Sequence, residues 1–257
     1  MRAGFRCFAA GVAFGVLFAF VAQPALAGTK TIKVGTNGNV RAVLMTPDGP
    51  GPYPAILVLH TSGGMQPEDL SYAKRLVKEG YVALVPYFLE TYGIVAATRQ
   101  EAFTTYADAI YADLVASLDT LCKSEKVDGK KLGAVGFSNG GFFALWLAAT
   151  GKVQAGVAYY GAVTGARTDM SFTRYRTAFN SGSAPVLILH GDADSTVPIE
   201  KVRQLDAILT DAASPHELHE YPGAEHRFDR DGGKANKEAA ADAWLRARDF
   251  LSRNLTR

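Results

Sequence analysis

The stretch Leu132-Gly133-Ala134-Val135-Gly136-Phe137-Ser138-Asn139-Gly140-Gly141-Phe142-Phe143-Ala144-Leu145-Trp146 decides how this chain folds. It reads as an apolar strand, a tight turn carrying Ser138, and an apolar helix. The turn spells Gly136-Phe137-Ser138-Asn139-Gly140, a G-x-S-x-G pattern. A serine at the tip of so sharp a strand-to-helix turn needs neighbours without side chains, because Cβ atoms there would strike the crossing strand and helix. The turn also sets the serine oxygen at the positive end of a helix, where developing negative charge is favoured. Five residues alone are a common pattern, so its weight depends on what surrounds it.

Working outward, apolar β-rich runs alternate with helical patterns. Thr31–Val34 and Ala42–Met45 read as short strands joined by a turn around Gly35–Asn39. Ala55–Leu59 and Tyr81–Val85 read as buried strands, with an amphipathic helix Glu68–Glu79 between them that ends at Gly80. Thr98–Lys123 carries helical periodicity through Phe103, Tyr106, Ile110, Leu114, Leu118 and Leu121. Ala155–Tyr160 and Val186–Leu189 are further strands. A helix from Ile199 to about Thr210, a strand His216–Tyr221 and a closing helix Lys234–Leu251 complete the series. Strand–helix alternation with all-apolar strands predicts an α/β fold, a largely parallel sheet covered on both faces. Ligands of such sheets bind at the carboxyl ends of the strands. Thr164–Gly182, polar and glycine-bounded, reads as a loop overhanging that rim.

At the N-terminus, Arg2 and Arg6 precede an apolar run from Phe8 to Ala22, and Ala25-Leu26-Ala27 supplies a small-x-small cleavage signature. Residues 1–27 are expected to be a cleaved signal peptide and 28–257 a single catalytic domain, exported to the periplasm or beyond. Without Arg2 and Arg6 the 27 basic residues become 25, equal to the 25 acidic ones. That balance offers no footprint for nucleic acid and none for an anionic membrane once the leader is gone. Of two cysteines, Cys7 leaves with the leader, and Cys122 near a helix end is expected to be a small buried apolar residue.

A serine hydroxyl needs a base, and the base an orienting carboxylate. The strand Val186–Leu189 runs into His190-Gly191-Asp192-Ala193-Asp194-Ser195-Thr196-Val197-Pro198, which contains both acid candidates. Asp194 is favoured, because Asp192 follows the strand so closely that a loop hydrogen bond suits it better. After the strand ending at Tyr221 comes Gly223-Ala224-Glu225-His226-Arg227-Phe228, which places His226 in a loop at a carboxyl end. Ser138, Asp194 and His226 follow the chain order this architecture uses. Two amides are expected to form an oxyanion hole: that of Asn139, and that of Ser62 in His60-Thr61-Ser62-Gly63-Gly64, with Thr61 or Gly63 as alternatives. His60 and His190 read as loop supports. His216 and His219 stand three apart in a strand rather than four apart on a helix, so no metal is expected. No cofactor is needed.

These blocks, in order, resemble the dienelactone hydrolase family of α/β-hydrolases. The likeness runs through Leu59–Gly64, Gly80–Pro86, Val135–Gly141, His190–Pro198 and Gly223–Phe228. The resemblance implies an α/β-hydrolase fold with helices on both faces of a mostly parallel sheet and no large cap domain. It also implies Ser138, Asp194 and His226 as the catalytic triad. Founding members of the family carry a cysteine where Ser138 stands, and a glutamate where Thr61 stands; the two changes are mutually consistent. Arg230 matches one of two arginines that hold a substrate carboxylate in the family. The segment after Pro86, Tyr87-Phe88-Leu89-Glu90-Thr91, lacks the other. Thr61, Tyr87 and Arg230 are the expected substrate contacts; the aromatic stretch Tyr87, Phe88 and Tyr92 suggests a more apolar wall, although half-buried aromatics more often simply pack. The expected activity is hydrolysis of a small carboxylic ester or lactone. A peptidase, an acyltransferase or a catalytically silent binding protein could carry the same three residues.

Overall fold

A computed structural model describes residues 26–161, 168–230 and 232–256. Eight strands form one sheet: β1 Leu26–Val34, β2 Val40–Pro47, β3 Tyr53–Leu59, β4 Val82–Pro86, β5 Val127–Phe137, β6 Ala155–Tyr159, β7 Val186–Gly191 and β8 His216–Tyr221. Their spatial order is β1-β2-β4-β3-β5-β6-β7-β8. β1 pairs antiparallel with β2 and β2 with β4, and every later pairing is parallel. The expected leader lies largely outside the described residues, with β1 beginning at Leu26.

Residue alternation along the strands builds two cores. Leu57, Leu59, Leu84, Ala134, Ala158 and Ile188 face the side covered by α2 Ala107–Cys122, α3 Asn139–Ala149, α4 Thr168–Ala178 and α5 Ile199–Asp211. Their neighbours Ile56, Val58, Ala83, Val135, Val157 and Leu187 face α1 Pro67–Lys78 and α6 Lys234–Leu255. Period-2 strands that are apolar at every position can be buried only by helices on both faces. Each fully buried leucine, isoleucine or valine contributes about 1.5–3 kcal/mol of transfer free energy.

Three expectations change. The helical pattern read over Thr98–Lys123 is two elements, a 3-10 segment Ala96–Ala102 and then α2 from Ala107. Its apolar residues share one core, so the period continued across a break it could not reveal. The expected overhanging loop at Thr164–Gly182 contains α4, whose Phe172 and Tyr175 are buried, as is Phe179 just beyond it; residues 162–167 lie outside the described residues. Cys122 is exposed rather than buried, because it ends α2 one residue past the buried Leu121.

Candidate active site

The turn after β5 has the geometry its glycines foretell. Ser138 adopts φ 51° and ψ −114°, a strained conformation for a residue with a Cβ. It is held by its amide, which donates to the Tyr159 carbonyl (3.0 Å), and by its carbonyl, which accepts from the Gly141 amide (2.9 Å). A Cβ on Gly136 would sit 2.0 Å from the Gly140 carbonyl oxygen, and one on Gly140 would sit 2.2 Å from that of Leu59. Both approaches are closed to any larger residue.

The loops after β7 and β8 bring the other two candidates to Ser138. His226 Nδ1 lies 2.7 Å from Asp194 Oδ2, and His226 Nε2 lies 3.2 Å from Ser138 Oγ. With the Nδ1–H donating to the carboxylate, the Nε2 lone pair is left to accept the serine proton. Asp194 is buried, and its Oδ1 accepts the amides of Thr196 and Val197, each at 2.8 Å. His190, also buried, places Nε2 3.3 Å from Asp194 Oδ2 and 2.8 Å from the Val197 carbonyl. Burial alone would raise the Asp194 pKa. Hydrogen bonds from His190 and His226, the nearby imidazole charge and the Val197 amide outweigh it and hold the carboxyl well below its ordinary value. Asp192 instead accepts the Gly223 amide at 2.6 Å, and the amides of Asp192 and Ala193 donate to the carbonyls of Tyr221 and Ala224. These bonds fasten the acid loop to the histidine loop.

A cavity of about 310 Å3 opens over Ser138 and His226 and is lined by Thr61, Ser62 and Asn139 among others. In the loop after β3, the Thr61 hydroxyl accepts the Gly63 amide (3.2 Å) and its carbonyl accepts the Gly64 amide (3.1 Å). The turn thus uses both glycine amides and leaves that of Ser62 outside its own bonding. The Asn139 amide opens α3, where no carbonyl lies one turn back along the helix to receive it. Thr61 therefore reaches the cavity as expected, although its hydroxyl is engaged in the turn. His60 supports this loop: its Nδ1 meets the Thr61 carbonyl at 2.7 Å, and its ring stacks on Phe88. Burial keeps the His60 pKa below the ordinary 6.5.

Two expected substrate contacts lie elsewhere. Tyr87 packs against the α1 side of the sheet with the Arg41 guanidinium 3.7 Å over its ring, and it takes no part in lining the cavity. β4 ends at Pro86 and Tyr87 opens a turn closed by the Glu90 amide on its carbonyl (3.3 Å); within that turn Phe88 is buried in the core on the opposite side of the sheet from Tyr87. Arg230 is buried, its Nη2 2.6 Å from Asp69 Oδ1 and its Nε donating to the Tyr160 hydroxyl at 3.1 Å. Ion pairing and burial have taken it out of the cavity wall. In their place Arg99, Gln100, Phe103 and Arg227 line the cavity beside the Ser138 turn. The 3-10 segment carries Arg99 there, and the Arg99 carbonyl accepts the Asn139 side-chain amide at 3.4 Å. Helical periodicity hid this segment; Arg227 stood in plain view beside His226.

The remaining histidines have structural partners. His216 Nε2 lies 3.1 Å from Asp206, and His219 lies 3.6 Å from Asp242. Among the described residues no cluster of three or more His, Cys, Asp or Glu is placed to hold a metal ion. No helix among them is long and apolar enough to cross a membrane.

The sheet order, the strained serine turn and the loops converging on it define an α/β-hydrolase. The sequence model of the Dienelactone hydrolase family matches residues 40–255. A provisionally named carboxymethylenebutenolidase of Methylorubrum extorquens is 30% identical over 256 residues, 91% of this chain and 88% of the relative. A Bradyrhizobium protein provisionally named 2-oxo-3-(5-oxofuran-2-ylidene)propanoate lactonase is 29% identical, covering 83% of this chain and 89% of its own length. A crystal structure described as that of a provisional dienelactone hydrolase from Klebsiella pneumoniae superposes with TM-score 0.77 at 25% identity, over 88% of this chain and 98% of that one. The chain belongs to the dienelactone hydrolase family, and it is a hydrolase acting on ester or lactone bonds.

Proposed function

We propose that this protein is an exported serine hydrolase that cleaves a small carboxylic ester or lactone through an acyl-enzyme on Ser138. The observation that carries the reading is the unbroken line of hydrogen bonds from Asp194 through His226 to Ser138 Oγ. His226 Nε2 takes the hydroxyl proton as Oγ attacks the carbonyl carbon. The carbonyl π pair moves to oxygen, and the amides of Ser62 and Asn139 donate to that oxyanion. Asp194 orients the imidazole and stabilises the imidazolium. Collapse expels the alkoxide, which takes the proton from His226. Water, deprotonated by the same nitrogen, then releases the acid and restores the serine. Losing one oxyanion donor costs about 3–4 kcal/mol of transition-state stabilisation.

The lactonase name of the Bradyrhizobium relative supports including lactones among the substrates. The engagement of Arg230 with Asp69 argues against that arginine holding a substrate carboxylate. Export rests on Arg2, Arg6, the apolar run and Ala25-Leu26-Ala27. It predicts a mature protein beginning at Gly28 in the periplasm or medium, checked by N-terminal sequencing.

The deciding experiment is fluorophosphonate labelling, followed by turnover of chromogenic esters of graded acyl length beside a dienelactone. An adduct on Ser138 with ester turnover supports the reading. A folded protein without the adduct would make the chain a silent binding protein. Equal turnover of matched amides, or transfer to an acceptor in place of hydrolysis, would make it a peptidase or an acyltransferase.

A further inference from the structure

We infer that Arg230 is a positioning residue, whose buried pair with Asp69 braces the loop that holds the oxyanion donor against the loop that holds His226. The inference rests on the serine-hydrolase reading above and concerns how that site is kept in shape. Arg230 and Asp69 stand 161 residues apart, and their side chains are 2% and 0% exposed. Each is tied to a different part of the site. Asp69 uses its second oxygen, Oδ2, to accept the Gln66 amide at 2.8 Å, just past the Thr61–Gly64 turn. Gln66 reaches back into that turn, its side-chain amide donating to the Gly63 carbonyl at 3.0 Å. One buried guanidinium is thereby linked, through two side chains, to the Gly63 carbonyl, in the turn that carries the Ser62 amide.

At its other end Arg230 closes the turn that begins at Arg227, its amide donating to the Arg227 carbonyl at 2.9 Å, one residue past His226. Its Nε donates to the Tyr160 hydroxyl, and the Tyr160 ring meets the His226 imidazole edge-on with centroids 5.1 Å apart. The guanidinium also lies 4.9 Å above the ring of Phe137, the residue before the nucleophile. Arg230 thus touches or borders the settings of all three working parts: base, nucleophile and oxyanion donor. None of these contacts leaves it facing the cavity. A misplacement of about 1 Å in such a site costs on the order of a hundredfold in rate, so a brace of this kind acts on kcat rather than on affinity.

The test separates the brace from a substrate contact and from simple stability. The wild-type protein is first shown to label on Ser138 with a fluorophosphonate. It is then compared with the double variant Asp69→Leu with Arg230→Met, which replaces the pair by apolar side chains and also removes the guanidinium 3.6 Å from Asp229; Asp229→Asn alone is the control for that second loss. Near-UV circular dichroism and melting temperature check the fold. Steady-state kinetics use p-nitrophenyl acetate, which is neutral, and mono-p-nitrophenyl succinate, which carries a carboxylate. The expected result is a loss in kcat of about tenfold or more on both esters, with KM within about threefold. Gln66→Ala, which leaves the buried pair intact and cuts only the link to Gly63, is expected to lower kcat on the neutral ester by about threefold. A double variant within about twofold of wild type on the neutral ester, a loss confined to the succinate ester, or an unchanged Gln66→Ala overturns the brace and leaves the triad reading standing. A wild-type protein that fails to label removes both.

Discussion

The His190 imidazole stands 3.3 Å from the Asp194 carboxylate, and neither side chain is exposed to solvent. The Asp194 carboxylate thus has two histidines: His226, which faces Ser138, and His190, which also bonds the Val197 carbonyl. A carboxylate shared in this way is held in one rotamer. Replacing His190 by Phe keeps the ring volume and removes the donor. Hydrogen bonds to charged groups contribute about 1.5–3 kcal/mol, so urea unfolding should show a loss of that size. Steady-state kinetics should show kcat reduced by about tenfold. A variant with unchanged kcat would mean that the Thr196 and Val197 amides alone position the acid.

Ser138→Ala and His226→Ala should each abolish nearly all ester turnover, and the double variant should be no worse than either alone, because the residues act as one unit. Asp194→Asn should lower kcat by about four orders of magnitude by favouring the wrong imidazole tautomer. Asp192→Asn, at a residue whose side chain accepts the Gly223 amide, should stay within about threefold of wild type. Kinetics in which the Asp192 variant is the more damaged would reverse the assignment of the acid.

The depressed pKa of Asp194 makes stability depend on pH in a stated direction. In the unfolded chain the carboxyl titrates near its ordinary 3.8, and in the folded protein below that. Its contribution is therefore fully present above about pH 4 and fades as pH falls toward the folded-state value. The stability gap between wild type and Asp194→Asn should narrow as the pH falls below about 4, as followed by thermal unfolding. A gap that widened on acidification would contradict the hydrogen-bonding pattern described for this side chain.

Gly140→Ala is a minimal change with a large expected effect, because its Cβ would meet backbone rather than a movable side chain. Separating α3 from the end of β3 to relieve that contact should cost about 1–3 kcal/mol of stability. The same movement displaces the Asn139 amide, so fluorophosphonate labelling of Ser138 should slow even in protein that remains folded. Equal labelling rates would show that the turn tolerates the methyl group.

Among the elements, the parallel strands were legible because burial on both faces demands unbroken apolar runs, and β8 was legible over its full length His216–Tyr221. The Ser138 turn was legible because Gly136 and Gly140 have a steric reason that no other residue could meet. The break before Ala107 was not, since Phe103 and Ile110 pack into one core on either side of it and preserve the helical period. Cys122 was misjudged for a related reason: periodicity locates a helix face but not the residue at which the face ends.

The chain order of Ser138, Asp194 and His226, each placed just after a strand, followed from local pattern alone, because loops at the carboxyl ends of parallel strands share one rim. Which side chains line the cavity was decided only by the tertiary structure. Arg230 has the position of a substrate contact in the linear chain, yet a carboxylate 161 residues away captures it in the interior. Tyr87 turns toward Arg41, and Arg99 arrives from a segment whose sequence spoke only of helix. Charge pairing and packing act between residues that meet only on folding, and no window of sequence contains both partners.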